Sequence, residues 1–290
     1  MSDLGGPTVR HRRLAFELRR LRGRSDMTGD QVAERLGWSP SKVSRLEHGR
    51  TGYKLRDVES LLDLYDVHGA DRDELLALTR GTSRKSWLES ESASLPSQFA
   101  AYVSMEAEAE TIWDWEPLIA PGLLQTEAYA RSIFEAWQSV VTTSPAEIKR
   151  RLDIRLARQE LLVRDPPPEL TVVLDESVLS RQIGDADVMR GQLGHLLDFS
   201  RRPTIDVRVV PLNAYHPVLT GSFSYMQFPG TEDVTFGDMV AIEELASNHY
   251  IEDEDETYLY RLAFERLLAE SLDQRNSQEL IEKYMHELWA

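Results

Sequence analysis

The sequence predicts an α+β protein of two domains, in which a small all-helical N-terminal domain precedes a mixed α/β domain with a central sheet. Length is one reason, because 290 residues favour two domains of ordinary size over one. The apolar pattern is the second reason, since its period is helical up to about residue 80 and strand-like runs follow only later. We place the domains at residues 1–80 and 98–290, joined by a serine-rich linker over 81–97.

A change in the sign of the charge along the chain supports the same division. Residues 1–56 carry 13 Lys and Arg against 6 Asp and Glu, whereas residues 91–290 carry 16 against 35. The net charge of −16 therefore hides a basic N-terminal segment. A nearby phosphate would respond to that local charge, because screening limits electrostatic attraction to about 10 Å.

The composition excludes several classes of function. Hydrophobic residues make up 41% and charged residues 28% of the chain, which is typical of globular proteins rather than disordered or fibrous ones. The absence of cysteine removes disulfides, thiolate metal sites and cysteine nucleophiles. No apolar run approaches the roughly 20 residues of a membrane span, and the first residues do not resemble a signal peptide. We expect a cytoplasmic protein without metal, cofactor or membrane contact.

The N-terminal domain carries the end signals of short helices. Thr28 is placed to begin a capping box, and Gly37 is placed to end the same helix in the left-handed conformation. Ser39 is a cap for the next helix, with Pro40 at the first helical position, where a missing N–H is tolerated. The predicted helices span 9–21, 29–36, 41–47, 55–65 and 71–78.

The second and third predicted helices, with the tight turn between them, have the arrangement of a helix-turn-helix. In that motif the second helix enters the major groove of DNA and its first residues meet base edges. Val43 and Leu46 are spaced to face inward, which leaves the base-reading positions to Ser41, Lys42, Ser44 and Arg45. Phosphate contacts are predicted for Gln31, Ser39, Arg50, Thr51 and Lys54. The alternative interpretation of this segment is a helical bundle with an arginine-rich solvated face.

The C-terminal domain alternates strand-like and helical stretches, which indicates one central sheet flanked by helices. The predicted strands cover 170–174, 205–210, 222–228, 239–245 and 249–252. The predicted helices cover 126–137, 145–163, 185–199 and 254–287.

Residues 28–51, TGDQVAERLGWSPSKVSRLEHGRT, resemble the helix-turn-helix of Xre/Cro/C1-type repressors. His48 stands where that family usually has Asn, and Pro40 stands where Gln or Thr is frequent, so a base preference does not carry over. The resemblance implies a lambda-repressor-like fold of five helices. The matching residues are Gln31, Ala33, Leu36, Gly37, Val43, Ser44, Leu46, Glu47 and Gly49.

The remainder resembles the uncharacterised domain that follows such a head in the WhiJ-like regulators of actinobacteria. The stretches that carry this resemblance include YVSMEAEAETIWDWEPLIAPGLLQTEAYAR, RRLDIRLARQELL and VVLDESVLSRQIG. The resemblance implies a regulatory role, association with a small acidic protein partner, and antitoxin-like behaviour.

Several polar and aromatic residues of the C-terminal domain are candidates for a ligand or partner site. A Pro-Gly turn before a helix capped by Thr126 would offer amide groups to an anion, and Arg151, Arg155 and Arg158 share one helix face. Tryptophans would stack on an aromatic effector. Each feature also has a plain structural reading as a capped turn, a salt-bridged face or core packing. The candidates are Glu106, Trp115, Gln125, Arg155, Arg158 and Glu176.

From these features we predict a DNA-binding transcriptional regulator that dimerises through its acidic domain or its last helix. The C-terminal domain would sense a small-molecule effector or bind a small acidic protein. One alternative is an antitoxin-like module that neutralises its partner. Another is an enzyme, with Asp175 and Glu176 at a strand end as its carboxylates. We predict no enzyme, because G-x-S-x-G, P-loop and H-E-x-x-H motifs are absent from the sequence.

Overall fold

The computed structural model describes residues 9–47, 52–79, 97–216, 218–229, 237–244 and 247–290. The chain divides into two compact units, Met1–Glu108 and Ala109–Ala290, which we call the head and the body. Nearly all of the predicted linker lies outside the described residues. No helix among the described residues is both long and apolar enough to cross a membrane.

The head is helical, as predicted. Apolar side chains at helical spacing, including Leu14, Leu18, Val43 and Leu61, form its buried core. A further described helix at the end of the head, which was not predicted, packs against the first. The helices are α1 (Val9–Arg24), α2 (Gly29–Leu36), α3 (Pro40–Glu47), α4 (Leu55–Leu64), α5 (Gly69–Thr79) and α6 (Ser97–Glu108).

The body contains the predicted mixed sheet, with six strands in the order β3-β2-β1-β4-β5-β6. The first three strands run parallel, so their carboxyl ends lie at one edge, and the other three join antiparallel. The strands are β1 (Thr111–Glu116), β2 (Glu169–Asp175), β3 (Ile205–Val210), β4 (Phe223–Gln227), β5 (Met239–Glu243) and β6 (Asn248–Ile251).

Strand β1 lies in the middle of the sheet and is missing from the sequence prediction. Its sequence, TIWDWE, alternates aromatic with acidic side chains, and Asp114 is buried within it. Carboxylates are rarely found in a central strand, so the pattern does not resemble one. Trp113 and Trp115 point to one face and pack with Phe264 of the covering helix, while Asp114 and Glu116 point to the other face.

The helices of the body agree with the prediction apart from one break and one short helix, Ser177–Ser180, that the prediction lacks. The predicted single stretch 254–287 is wrong, because the backbone is extended at Ser271 and Asp273 caps a new helix. The amide of Leu272 in this break donates to the Val209 carbonyl of the edge strand β3, at 2.9 Å. The helices are α7 (Glu127–Ala136), α8 (Pro145–Arg158), α9 (Ser177–Ser180), α10 (Ala186–Ser200), α11 (Glu254–Glu270) and α12 (Gln274–Glu287), with a 3-10 turn at Gly122–Leu124.

Candidate nucleic-acid interface

Local hydrogen bonds hold α2 and α3 in the helix-turn-helix arrangement. The hydroxyl of Thr28 accepts from the amide of Gln31, and the Gln31 side chain accepts from the Thr28 amide, as the predicted capping box requires. Gly37 has a φ of 66°, a left-handed conformation that favours glycine. The hydroxyl of Ser39 accepts from the Lys42 amide at 3.2 Å and so caps α3.

The side chains of α3 divide between the core and the surface as predicted. Val43 and Leu46 are almost completely buried, whereas Ser41, Ser44 and Arg45 are exposed. Within the part of the chain that the structure describes, no ion pair involves Arg45. Its guanidinium can therefore donate two hydrogen bonds to a guanine without first breaking an ion pair to any described residue.

Lys42, the other basic residue predicted to read bases, is engaged within the head. Its ammonium group lies 2.7 Å from the Asp57 carboxylate of α4 and 3.6 Å from the centre of the Trp38 ring. Both contacts stabilise a cation. Asp57 and Trp38 were not predicted as partners of Lys42, because neither contact follows from the spacing within one helix. Lys42 would have to leave this position to reach a base.

The predicted phosphate contacts have different surroundings. Gln31 and Lys54 are exposed, and Ser39 is exposed while it caps α3. Arg50 and Thr51 lie outside the described residues, as does the predicted end of α3 at His48 and Gly49.

The first turns of α2 and α3 border one open depression of about 410 Å³. Gly29, Pro40 and Ser41 line it, together with the acidic residues Asp30 and Glu47. Helix N-termini attract phosphate through their free amide groups. Asp30 opposes that attraction, so the phosphate contacts of this surface depend on the basic side chains around it.

A partly buried ion pair fixes the end of α3 against α1. Glu47 is 4% exposed, and one of its carboxylate oxygens accepts from Arg22 Nε at 2.8 Å. The hydrogen bond to Glu47 raises the pKa of Arg22. The end of α3 has a second contact, in which the Tyr53 hydroxyl donates to the Leu46 carbonyl. Glu47 was predicted only as a residue of the repressor-like motif. Its partner Arg22 was not predicted, because it is 25 residues away in the chain.

In the body, the candidate Gln125 is fully buried and belongs to a hydrogen-bonded turn. Its amide nitrogen donates to the Ala120 carbonyl at 2.7 Å, and its amide oxygen accepts from Arg155 at 2.7 Å. The side chain of Gln159 donates to the Gln125 carbonyl, and Gln192 bonds to both sides of the turn. These contacts support the structural reading of the turn at residues 120–126 over the anion site.

The candidates Arg155 and Arg158 converge on the same turn. Their guanidinium nitrogens lie 3.5 to 3.6 Å from the position that a Cβ on Gly122 would occupy. Arg158 is 3% exposed, and Arg155 also lies over the Phe134 ring. These two arginines pack inside the protein, so the structure does not support them as surface contacts for a ligand.

The candidates Trp115 and Glu106 are also enclosed. Trp115 is 2% exposed, and its indole N–H donates to the Thr220 carbonyl. Glu106 is 1% exposed and lies on α6, in the head rather than the body. Neither side chain offers a surface to a ligand.

Carboxylates collect at the carboxyl ends of the parallel strands. Asp175 accepts from the Ser177 amide and lies 3.1 Å from His216 Nε2. Glu176 accepts from the Leu212 amide and from the Tyr284 hydroxyl, at 2.7 and 2.8 Å. Asp175 is the last residue of β2 and Glu176 lies just beyond it, and the two carboxylates have different partners.

Glu116 ends the strand next to them, on the opposite sheet face from Trp115. Burial raises the pKa of Glu116 well above its ordinary value, and the nearby carboxylates Asp114 and Glu243 raise it further. Arg155 lowers it in part. The described residues contain no group of three or more His, Cys, Asp and Glu side chains that could hold a metal ion.

Comparison with known proteins agrees with the two-part organisation. A family model described as "Domain of unknown function (DUF5753)" matches residues 99–283, and one described as "Helix-turn-helix domain" matches residues 13–75. The first match begins within α6, whereas the compact units divide after Glu108. No curated protein and no solved structure matches the chain. The second match supports a DNA-binding regulator.

Proposed function

The chain belongs to the family described as "Domain of unknown function (DUF5753)", and we propose that it regulates transcription by binding a specific DNA sequence through its helix-turn-helix head. The finer resemblance of the head to Xre/Cro/C1-type repressors, and of the whole chain to WhiJ-like regulators, is part of this proposal. So are a cytoplasmic location, where the DNA is, and the absence of enzymatic activity.

The observation that carries the proposal is the position of Arg45. It lies on a helix whose start is capped and whose inner face is buried, so its Cα is held in place. Its side chain is exposed and has no ion-pair partner among the described residues. A rigid backbone with an available guanidinium is what direct reading of a guanine requires.

The acidic body supplies the regulatory part of this proposal. Its negative charge disfavours stray contacts with DNA, and its surface serves a protein partner or an effector. An antitoxin-like role would be this same function with a toxin as the partner.

Selection of binding sites from random double-stranded DNA tests the proposal without a known operator. We expect the full-length chain to enrich one sequence motif. On that motif, Arg45→Ala should weaken binding by about 1 to 3 kcal/mol and relax the preference at one base position. Fluorescence anisotropy on the selected and on a scrambled duplex measures both effects.

Two control variants separate base reading from general attraction. Lys54→Ala should weaken binding to both duplexes equally, because a phosphate contact carries no sequence information. Arg201→Ala removes an exposed arginine of the body that pairs with Asp198 and should change binding to neither duplex.

If each subunit of a dimer makes about four phosphate contacts, the plot of log binding constant against log salt concentration has a slope near −7. Failure to enrich any motif, or full binding by Arg45→Ala, would contradict the proposal.

A further inference from the structure

The outer side of α11 exposes large apolar side chains. Tyr258, Leu259 and Leu262 are 53%, 64% and 42% exposed, whereas Phe264 and Leu267 on the inner side of the same helix are fully buried against the sheet. Contiguous exposed apolar residues on a soluble domain mark a contact surface. The outer side of α11 is therefore a candidate interface.

The exposed residues on this side form one line along the helix. Asp255, Leu259, Leu262 and Arg266 follow one another at spacings of four, three and four, and all four are exposed. This spacing places them on a single seam, as in paired helices. We call these four residues the α11 seam.

The α11 seam is complementary to itself when reversed. If a second α11 lies antiparallel to the first, residue 255 of one copy faces residue 266 of the other, and residue 259 faces residue 262. Asp255 then meets Arg266 at both ends, and leucine meets leucine in the middle. No described ion pair involves Asp255, and Arg266 has only a 3.8 Å contact with Glu270, so both charges are available at little cost.

We propose that this chain dimerises through antiparallel pairing of the α11 seam with that of a second copy. The occupant is a second copy because the seam carries a carboxylate at one end and a guanidinium at the other, so that it is complementary to its own reversal. This inference deepens the proposed function, on which it rests for its biological meaning. A two-fold dimer brings two heads to one DNA, as paired half-sites require.

The last helix of the sequence prediction, 254–287, includes both α11 and α12, and its α12 part is committed to its own body. Ile281 is fully buried, and Trp289, just after α12, donates its indole N–H to the Leu179 carbonyl. Gln274 and Gln278 bond to the carbonyl of Ser200 at the end of α10. α12 therefore presents no comparable apolar seam, although Leu288 beyond its end is 51% exposed.

The α11 seam extends over only about three turns, so the interface is small. We expect a dissociation constant on the order of micromolar for the free protein. A duplex with two half-sites should favour the dimer further, because the second head then binds at a high effective concentration.

Sedimentation of the full-length chain over a concentration series tests the pairing. The mass should rise from that of a 33.2 kDa monomer to that of a dimer. Leu259→Glu combined with Leu262→Glu should weaken association by at least about a hundredfold. Both residues are exposed, so circular dichroism and thermal unfolding should match the original chain. Leu288→Glu is the matched control and should leave the dimer intact.

A charge reversal distinguishes self-pairing from any other use of this surface. Asp255→Arg alone and Arg266→Asp alone should each weaken the dimer by about fivefold to tenfold, since like charges then meet. The double variant Asp255→Arg/Arg266→Asp should restore association. A wild-type chain that stays monomeric would overturn the inference and leave the surface to a different protein. A double variant no better than the single ones would overturn the antiparallel register.

The two proposals fail separately in these experiments. Arg45→Ala should lose specific DNA binding and remain dimeric. The double glutamate variant should be monomeric and still prefer its half-site in one copy. A wild-type dimer that enriches no DNA motif would contradict the proposed function and leave the seam inference standing.

Discussion

The head and the body use the same residue type in opposite ways. Arg45 in the head is exposed, and no described ion pair involves it. Arg155 and Arg158 in the body are directed into a hydrogen-bonded turn, where Arg155 donates to Gln125 and Arg158 is almost completely buried. From the sequence alone, each of the three arginines suggests an anionic partner. The comparison teaches that the neighbours of a guanidinium, and not its presence, decide whether it can bind one.

Lys42 lies between these two cases. It is on the same helix as Arg45, but its ammonium is held by Asp57 and Trp38. The pair is partly exposed, so DNA can compete for the lysine with a modest loss of energy. Three experiments test this contrast between charges that are available to a ligand and charges that are held by neighbouring residues.

The largest effect is expected in the body, from Gln125→Ala. This change removes the side-chain amide of Gln125, both its N–H donor and its oxygen acceptor. The Ala120 carbonyl and an Arg155 N–H each lose that hydrogen bond inside the turn. We expect the unfolding free energy of the body to fall by about 3 kcal/mol. Urea denaturation followed by circular dichroism, fitted with separate transitions for the two units, measures the loss.

The matched control for this prediction is Gln138→Ala. Gln138 is also a glutamine that donates to a backbone carbonyl, that of Thr143, but it is exposed. Its loss should change the unfolding free energy by less than about 0.5 kcal/mol. Equal effects of the two changes would mean that the hydrogen bonds of the buried turn do not hold Arg155 in place.

The intermediate effect is expected in the head, from Asp57→Asn. This change removes the negative charge that holds Lys42 and should strengthen DNA binding by up to about fivefold at low salt, the equivalent of one surface ion pair. The salt slope should become steeper by about 0.9 if the released lysine reaches a phosphate. Fluorescence anisotropy over a salt series gives both numbers.

A double-variant cycle identifies the cause of that gain. In a Lys42→Ala background, Asp57→Asn should give a clearly smaller gain, because only the general loss of a negative charge remains. The same gain in both backgrounds would show that Asp57 acts by repelling DNA and not by holding Lys42.

The smallest effect is expected from Glu116→Gln, and it depends on pH. The pKa of Glu116 is raised in the folded protein. As the pH rises, the Glu116 carboxyl therefore loses its proton in the unfolded chain before it does so in the folded protein. The free energy of unfolding declines over the pH range between these two pKa values. Glutamine cannot ionise. The variant should therefore be more stable than the original chain at about pH 8, and the two should converge at about pH 4.

Thermal unfolding of both proteins at several pH values checks this prediction. Glu279→Gln, which changes an exposed carboxylate paired with Arg275, should leave the pH dependence nearly unaltered. A constant difference between Glu116→Gln and the original chain at every pH would show that the effect is one of packing.

Sequence reasoning succeeded where the cause is local. Thr28, Gly37 and Ser39 determine the ends of α2 and α3 through contacts within four residues, so the capping box and the turn could be predicted. The alternation of Val43 and Leu46 with polar residues likewise predicts which side of α3 faces the core. Strands with ordinary apolar runs, such as β2 and β3, were found for the same reason.

It failed where the cause lies far away in the chain. Strand β1 is central because β2 and β4 pair with it on either side, and its alternating carboxylates conceal that position. The break before α12 depends on Leu272 meeting β3, and the anchoring of Glu47 depends on Arg22.

The sequence by itself determined the helix-turn-helix, its caps and the contrast between a basic head and an acidic body, because these follow from neighbouring residues and from counting charges. Only the tertiary structure decided which charges remain available. Arg45, Lys42 and Arg155 are equally cationic as residues. Asp57 holds Lys42 and Gln125 holds Arg155, whereas no described residue forms an ion pair with Arg45. Partners brought together by folding determine the cost of moving a charge to a ligand, and that cost cannot be read from spacing.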